Sequence, residues 1–436
     1  MNVVHEPQID LNKKRVSLHT LGCRLNFSET GSIADGFLKR GYEIVEFGAA
    51  SDVTFINTCT VTDGADSTCR NLIRKAHRAS PEGRIVVAGC YAQMDSERIS
   101  KMTGVDLVLG TSEKYKVFDY LNESEVDAIH IDKSNSFYAA ATTEAEGHTR
   151  AFLKIQDGCN YVCSFCIIPQ ARGRSKAISV ADALSNAHEV VDQGFKEVIL
   201  TGVNIGEYEV NSGERLTDLV SELLAIEGLK RLRLSSVEPN TITDELLEVF
   251  ASSSKFLEHF HVPLQSGDDA ILKAMRRRYS VQDYRDIISK IITRFPNSGI
   301  GADVICGFPG ESQVQFDNTY GLLKELPITH FHVFPYSSRK NTTAARLPDH
   351  IQHGVKKDRV HALRSLGEAK LALFTEDQVG SSSEVLFERR NKQGLWEGYT
   401  RNYVRVVLES DQELRNQIRP VFLKDYDGTL RAEILN

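Results

Sequence analysis

Six of the eight cysteines in this 436-residue chain fall into two groups of three whose placement suits metal chemistry. The compact group is Cys159-Asn-Tyr-Val-Cys163-Ser-Phe-Cys166, preceded by Asp157-Gly158. The opening stretch, Met1 to Lys14, is polar and lacks the apolar core of a secretory signal. The thiols therefore read as reduced and cytoplasmic, where close spacing favours iron–sulfur or zinc ligation over a disulfide. A structural zinc needs four ligands, and no fourth Cys or His is near in sequence; His148 lies on the wrong side of a predicted strand. A [4Fe–4S] cluster held by three thiolates keeps one iron open, as an open position marks catalytic rather than structural zinc. A zinc knuckle is the competing reading.

The dispersed group is Cys23, Cys59 and Cys90. Each ends an apolar run: Val16–Gly22, Asp52–Thr58 and Arg84–Gly89. Parallel strands of one sheet would bring these ends to a single edge, where open α/β sheets place ligands. Gly22 and Gly89 allow sharp turns and close backbone approach. The plainer reading is three packing cysteines, since free Cys is often buried without a role. Cys69, inside a helical pattern, and Cys306, inside a strand, fit no ligand pattern and read as packing.

The elements that position these thiols follow from periodicity. Strands are expected at Arg15–Leu21, Asp52–Asn57, Arg84–Ala88 and Asp106–Leu109, with helices at Glu29–Arg40, Ala65–Ala79 and Asp95–Lys101. Such alternation implies a parallel sheet covered by helices. Residues 133–149 turn small, polar and aperiodic, and read as a linker. The βα alternation then resumes with strands at Ala151–Gln156, Glu197–Thr201, Arg231–Ser236, His259–Pro263, Gly301–Cys306 and His330–Pro335. Six strands are two short of a full barrel, so a partial (β/α)6 barrel is expected, with function on the loops after its strands. Five short β-like runs after Thr375, with Asp427-Gly428 as a hairpin signal, fit a small β-barrel of oligonucleotide-binding size. The expected fold class is α/β, divided into 15–132, 148–373 and 374–436.

Composition agrees with this division. A hydrophobic fraction of 41% and a charged fraction of 25% exclude a disordered tail or a collagen-like chain. No apolar run approaches the ~20 residues of a membrane-spanning helix. The formal net charge of −7 does not advertise nucleic-acid binding.

The C-x3-C-x-aromatic-C pattern, with Phe165 before Cys166, resembles the signature of the radical S-adenosylmethionine (SAM) superfamily. Leu21-Gly-Cys23-Arg-Leu-Asn26, Asn57-Thr-Cys59-Thr-Val-Thr62 and Gly89-Cys90-Tyr-Ala-Gln93 resemble the amino-terminal motifs of its methylthiotransferases. The carboxy-terminal β-module resembles that family's RNA-binding TRAM domain. The resemblance implies two [4Fe–4S] clusters, one auxiliary on Cys23, Cys59 and Cys90 and one on Cys159, Cys163 and Cys166. It implies that SAM chelates the open iron of the latter and yields a 5′-deoxyadenosyl radical, while a second SAM supplies the methyl group. Asn204, Glu238 and Gln265, on loops after three barrel strands, are the implied SAM contacts.

Three substrates compete within the family: threonylcarbamoyladenosine beside the tRNA anticodon, isopentenyladenosine in tRNA, and an aspartate of a ribosomal protein. His19-Thr-Leu-Gly-Cys23, Ile56–Thr62 and Ser235-Ser-Val-Glu-Pro239 resemble the threonylcarbamoyladenosine type most. The implied partners are tRNA, an electron donor such as flavodoxin or ferredoxin, and a sulfur donor. A single-cluster radical SAM methylase and a non-catalytic RNA-binding iron–sulfur protein remain as alternatives.

Local charge qualifies the −7. Residues 149–176 hold Arg150, Lys154, Arg172, Arg174 and Lys176 against Asp157; Arg70, Arg74 and Arg78 recur every four residues; Arg276-Arg277-Arg278 adds a third patch. In an RNA enzyme these read as phosphate contacts. Tyr399, Tyr403 and Trp396 are candidate base-stacking residues, and His259, His261 and His332 read as satisfied core or rim side chains rather than ligands.

Overall fold

The computed structural model describes residues 13–122, 128–132, 136–141, 149–210 and 212–435. The chain divides into two compact units, 1–134 and 135–436. Among the described residues no helix is long and apolar enough to cross a membrane.

The first unit is a parallel six-stranded sheet: β1 (Arg15–Thr20), β2 (Glu43–Val45), β3 (Val53–Thr58), β4 (Arg84–Gly89), β5 (Leu107–Leu109) and β6 (Ile129–His130), in the order β2-β1-β3-β4-β5-β6. Helix α1 (Arg24–Lys39) follows β1, α2 (Asp63–Ala79) follows β3, and α3 (Cys90–Met94) follows β4. Every residue of β3 is buried, because both faces of the sheet are covered. Phe55 packs with Ile33 and Phe37 of α1 on one face, and Ile56 with Ile73 of α2 on the other. The chain goes outward from β1 to β2 and then crosses back to β3, so the strand order reverses between β1 and β3. That reversal opens a crevice at the carboxyl ends of the strands. The sequence reading had four of these strands; β2 and β6 are only three and two residues long and carry too little pattern to be seen.

In the second unit β7 (Ala140–Ala141) pairs antiparallel with β8 (Arg150–Lys154), so part of the expected linker is a strand. Residues 133–135 and 142–148 of that linker, His148 included, lie outside the described residues. A short ribbon of β9 (Gln156–Asp157) and β10 (Lys176–Ala177) brackets the Cys159–Cys166 loop. The barrel strands are β8, β11 (Glu197–Thr201), β12 (Arg231–Leu234), β13 (His259–His261), β14 (Gly299–Cys306) and β15 (His330–Pro335). All run parallel; bridges from Leu232 to Phe256 and from Ser236 to His261 join the two halves into the expected partial (β/α)6 barrel.

Side chains alternate across these strands. Val198, Leu200, Leu232, Leu234, Phe260, Ile300, Ala302 and Val304 face the helices in one large core. The opposite set faces the lumen; beside Phe152, Ile199 and Ile305 it holds the polar Arg150, Glu197, Arg231, Arg233, His259, His261, Asp303, His330 and His332. A closed five-stranded barrel follows, β16 (Ser382–Arg390), β17 (Trp396–Tyr399), β18 (Arg405–Leu408), β19 (Gln417–Tyr426) and β20 (Leu430–Ile434). The expected boundary at 373/374 falls inside the helix His353–Glu376, and barrel and β-module share one compact unit.

Candidate metal centres

In the first unit the three thiols sit where the crevice opens. Cys23 is the N-cap of α1, Cys59 directly follows β3, and Cys90 opens α3 directly after β4. Gly22 holds φ +101°, and a Cβ on it would lie 2.7 Å from Cys59 Cβ and 2.9 Å from its Sγ. Only glycine lets the Cys23 turn pass that close to Cys59. Burial pushes the Cys59 thiol up to about 12, with the neighbouring Cys90 and, less strongly, Cys23 and Cys69 adding to it. The thiols thus converge closely enough to feel one another. Cys90 is buried, Cys59 half-buried and Cys23 exposed, and a set of neighbouring thiols like this is stabilised as thiolates by a cationic cluster.

A buried polar network ties the three turns together. Asn26 Nδ2 donates to Leu21 O at 2.6 Å and to Thr58 O at 3.1 Å, bridging the Cys23 and Cys59 turns. Asn57 Nδ2 donates to Asn26 O at 3.0 Å, and Thr58 Oγ1 donates to Ala88 O beside the Cys90 turn at 2.6 Å. Lys114 pairs with Glu29, both fully buried, and its Nζ lies 3.5 Å from Asn57 Oδ1. Gly89 at φ +98° leaves room for that oxygen, since a Cβ there would come within 2.5 Å of it. Cys69 is fully buried and its S–H points at Cys59 O, 3.6 Å away. Cys306 is also buried, in the barrel core.

In the second unit the Cys159–Cys166 loop is clamped on several sides. Asn160 N–H donates to Glu207 Oε2 at 2.9 Å, and Ser164 Oγ donates to Ala274 O at 2.8 Å. Gly158, at φ +68°, passes so close to Arg174 O that a Cβ would lie 2.0 Å from it. Cys159 Sγ accepts from Tyr161 N–H at 3.3 Å and faces Asn204 Nδ2 at 3.9 Å; Cys163 Sγ accepts from Arg277 Nη1 at 3.2 Å. Burial pushes Cys159 and Cys166 up to about 12. Cys163 is also raised by burial, against the pull of the Arg277 guanidinium. Three thiols, with N–H donors on two of them and a cation on one, are a donor set that fits a three-thiolate [4Fe–4S] cluster.

The three expected SAM contacts follow β11, β12 and β13; Asn204 faces Cys159, and Glu238 is linked to Cys163 through Arg277. Asn204 is 3% exposed; its N–H donates to Gln156 Oε1 at 2.9 Å, and its Oδ1 is buried with no partner among the described residues. An unsatisfied buried acceptor needs an explanation, and a ligand donor supplies one. Glu238 pairs with Arg277, which links it to Cys163. Gln265 adopts φ +64°, a left-handed conformation that costs a non-glycine residue about 1 kcal/mol or more and concentrates at functional sites.

Several features escaped the sequence reading. Arg277, counted in an RNA patch, is only 3% exposed in its side chain and bridges Glu238 to the cluster loop. Lys154 and Arg172, counted in another, are buried pairs of Asp157 at 2.7 and 3.0 Å. Arg150 pairs with Glu388 at 2.6 Å and bonds Tyr403 Oη at 3.1 Å. Of these two patches Arg174, Arg276 and Arg278 stay exposed, and Arg74 and Arg78 do so on α2. The stacking candidates change too: Trp396 is buried in the β-module core, while Tyr403 lies against Arg150, Arg233 and His259 and stacks on Tyr399. Gln156, unremarked in sequence, accepts from Val203 and Asn204 N–H and donates to Gly158 O, tying the cluster loop to the β11 loop.

Residues 15–110 match the Uncharacterized protein family UPF0004 and residues 153–323 the Radical SAM superfamily. The threonylcarbamoyladenosine tRNA methylthiotransferase MtaB of Bacillus subtilis (strain 168) is 38% identical, over 92% of each chain. The tRNA-2-methylthio-N(6)-dimethylallyladenosine synthase of Fusobacterium nucleatum is 30% identical, over 97% of this chain and all of that one. Among solved structures, the radical SAM methyltransferase TsrM of Kitasatospora setae superposes with a TM-score of 0.52 at 14% identity, covering 74% of this chain and 73% of that one; it shares the fold. Together with the two thiol triads, these likenesses place the chain: it belongs to the radical SAM methylthiotransferases.

Proposed function

We propose that the chain inserts a methylthio group at carbon 2 of threonylcarbamoyladenosine in tRNA, with Cys23, Cys59 and Cys90 holding an auxiliary [4Fe–4S] cluster and Cys159, Cys163 and Cys166 the radical SAM cluster. The observation that carries this reading is the convergence of three thiols at the switch point of the first sheet, in a chain whose barrel bears a second triad. A radical SAM methylase with one cluster has no use for the first. The preference for the threonylcarbamoyl substrate rests on 38% against 30% identity to relatives with the two tRNA specificities.

When bound, the cluster of the second unit supplies the electron that cleaves SAM, giving a radical able to take a hydrogen that no side-chain base could remove. The chain's own residues position the reactants. Asn204 presents its unpartnered Oδ1 to a donor on SAM. Arg277 holds the Cys163 sulfur and the Glu238 carboxylate together, so Glu238 can accept from an amine or ribose hydroxyl. Burial raises Glu238, and Arg277 opposes that rise. No general base is assigned. Electron and sulfur donors, a cytoplasmic location, and RNA contact through the exposed Arg74, Arg78, Arg174, Arg276 and Arg278 belong to the same reading.

Nucleoside mass spectrometry of tRNA from a strain lacking the gene tests it. Loss of 2-methylthio-threonylcarbamoyladenosine, with isopentenyladenosine derivatives unchanged, is expected. The reverse pattern assigns the other tRNA substrate, and an unchanged profile removes tRNA from the reaction.

A further inference from the structure

Three barrel strands bring together a set of ligating atoms that neither cluster uses. His261 ends β13, Asp303 lies on β14 and His332 on β15, all on the lumenal face. His261 Nε2 lies 3.0 Å and His332 Nδ1 3.2 Å from the same oxygen, Asp303 Oδ1. The two imidazoles are stacked, 28° from parallel with centroids 5.0 Å apart, and each presents a ring nitrogen to that oxygen. Among the described residues this is the group of three His, Cys, Asp or Glu whose ligating atoms all lie within 4.8 Å of one another.

The distances suit an ion. Metal–nitrogen and metal–oxygen bonds of roughly 2.0–2.1 Å at angles of 90–110° set ligand atoms about 2.9–3.4 Å apart. Both observed separations fall in that range. Room for the rings is built in at Gly301, which pairs with His261 in register: a Cβ there would lie 2.8 Å from His261 Nδ1 and 2.4 Å from His330 Nε2. His330 itself is engaged with Thr329 Oγ1 at 3.0 Å and walls the site. The Asp303 carboxylate is half-buried, 24% exposed in its side chain. Asp303 contributes the carboxylate oxygen of the set. His332 is 56% exposed in its side chain, so one side of the group opens to the lumen.

We propose that His261, Asp303 and His332 bind a single divalent first-row metal ion in the barrel lumen. Two imidazoles and one carboxylate on one side of an ion are the donor set that suits zinc or ferrous iron and leaves coordination positions vacant. The vacant side faces the lumen, where an oxygen of a bound substrate can enter. Asp303 is also among the charges that raise Glu238, which places the ion within electrostatic reach of the proposed SAM pocket. Ion binding here does not depend on which nucleoside is the substrate.

The test uses the full chain with both clusters loaded, stripped of loose metal by a chelating resin and dialysed anaerobically against micromolar zinc. The parent is expected to take up one zinc per chain with iron unchanged at about eight. His332→Ala and Asp303→Asn are expected to weaken that uptake at least tenfold while keeping the same iron, which shows that both variants are folded. Zinc uptake by the parent equal to that of both variants, or none at all in the parent, overturns the proposal and leaves a hydrogen-bonded His–Asp–His group. Nucleoside analysis reads the proposed methylthiolation separately, so the failure of one reading is distinguishable from the failure of the other.

Discussion

The buried Lys114–Glu29 pair offers the sharpest test of how the first unit supports its thiols. Both side chains are fully buried, and the pair touches Asn57, the amide that is bonded to Asn26 and fills the space beside Gly89. Lys114→Met removes the cation and leaves Glu29 in the dark interior. Breaking one side of a buried pair costs about 3–5 kcal/mol. An independent bound comes from letting the carboxyl take a proton: from an ordinary value near 4.3 to pH 7.5 that costs ~4 kcal/mol. The two figures agree, and both are a large part of the roughly 5–15 kcal/mol that holds a domain folded. The deficit should shrink by about 1.4 kcal/mol for each unit the pH is lowered, since the neutral carboxyl forms more readily. The assay pairs urea unfolding with iron analysis. We expect a loss of about 4 kcal/mol and a fall from about eight to about four irons per chain, the second-unit cluster being retained. Glu29→Gln combined with Lys114→Met should recover at least half of the stability, because no lone charge remains. A single variant within 1 kcal/mol of the parent and still carrying eight irons would refute the reasoning.

Three further outcomes follow from particular contacts. Gly22→Ala should abolish the auxiliary cluster and leave about four irons per chain, because it adds left-handed strain of about 1–2 kcal/mol and drives a methyl into Cys59; intact iron content would show that the turn can move. Arg277→Met should lower the rate of reductive SAM cleavage at least tenfold and raise the KM for SAM, with iron content near the parent's, since it strips Cys163 and Glu238 of their shared cation; unchanged kinetics would remove Arg277 from the site. Tyr403→Ala should cost about 3–5 kcal/mol in urea unfolding through its contacts with Arg150 and Arg233, while Tyr403→Phe should cost about 1–3 kcal/mol through the hydroxyl alone; a loss of tRNA affinity at full stability would restore its reading as a base-stacking residue.

Much of the site was legible because it is written in local patterns. The C-x3-C-x2-C spacing needs no fold to be seen, and the other three thiols each follow a β-rich run whose end the structure places within a few residues. What connects the thiols was not legible. Arg277 reaches Cys163 across 114 positions, and Lys114 reaches Glu29 across 85, and no local signal encodes such pairs. Strand β7 was hidden because two alanines in a polar stretch carry no periodicity. The expected break between barrel and β-module was drawn from a change of composition, but the helix His353–Glu376 runs through it. Arg231 then bonds Tyr399 O and Thr400 O, and Asn402 Nδ2 donates to Asn297 O at 3.0 Å, so the join is a packed one.

For Arg150 and Lys154, both on β8, the charge reading failed for a reason that the barrel strands explain. Basic residues are ordinarily taken as surface, because burying an unpaired charge costs several kcal/mol. In this barrel Arg231-Leu-Arg233-Leu, His259-Phe-His261 and His330-Phe-His332 alternate with period two. The apolar partners face the helices, which sends the cations into the lumen. There Arg231 and Arg233 each lie 3.0 Å from Glu197, a carboxyl that Arg233, Arg231 and Arg150 hold at about 2 despite its burial. An ordinary parallel barrel fills that space with Val, Ile and Leu. This one sustains a charged interior from Glu197 and Tyr403 to the His261, Asp303 and His332 group. Counting Lys and Arg along such a strand therefore measures the lumen as much as the surface, and RNA contact has to rest on the smaller exposed set. With the exposed Arg74, Arg78, Arg174, Arg276 and Arg278 as the proposed phosphate contacts, the expected dependence of tRNA binding on salt is shallower than that of a strongly basic protein.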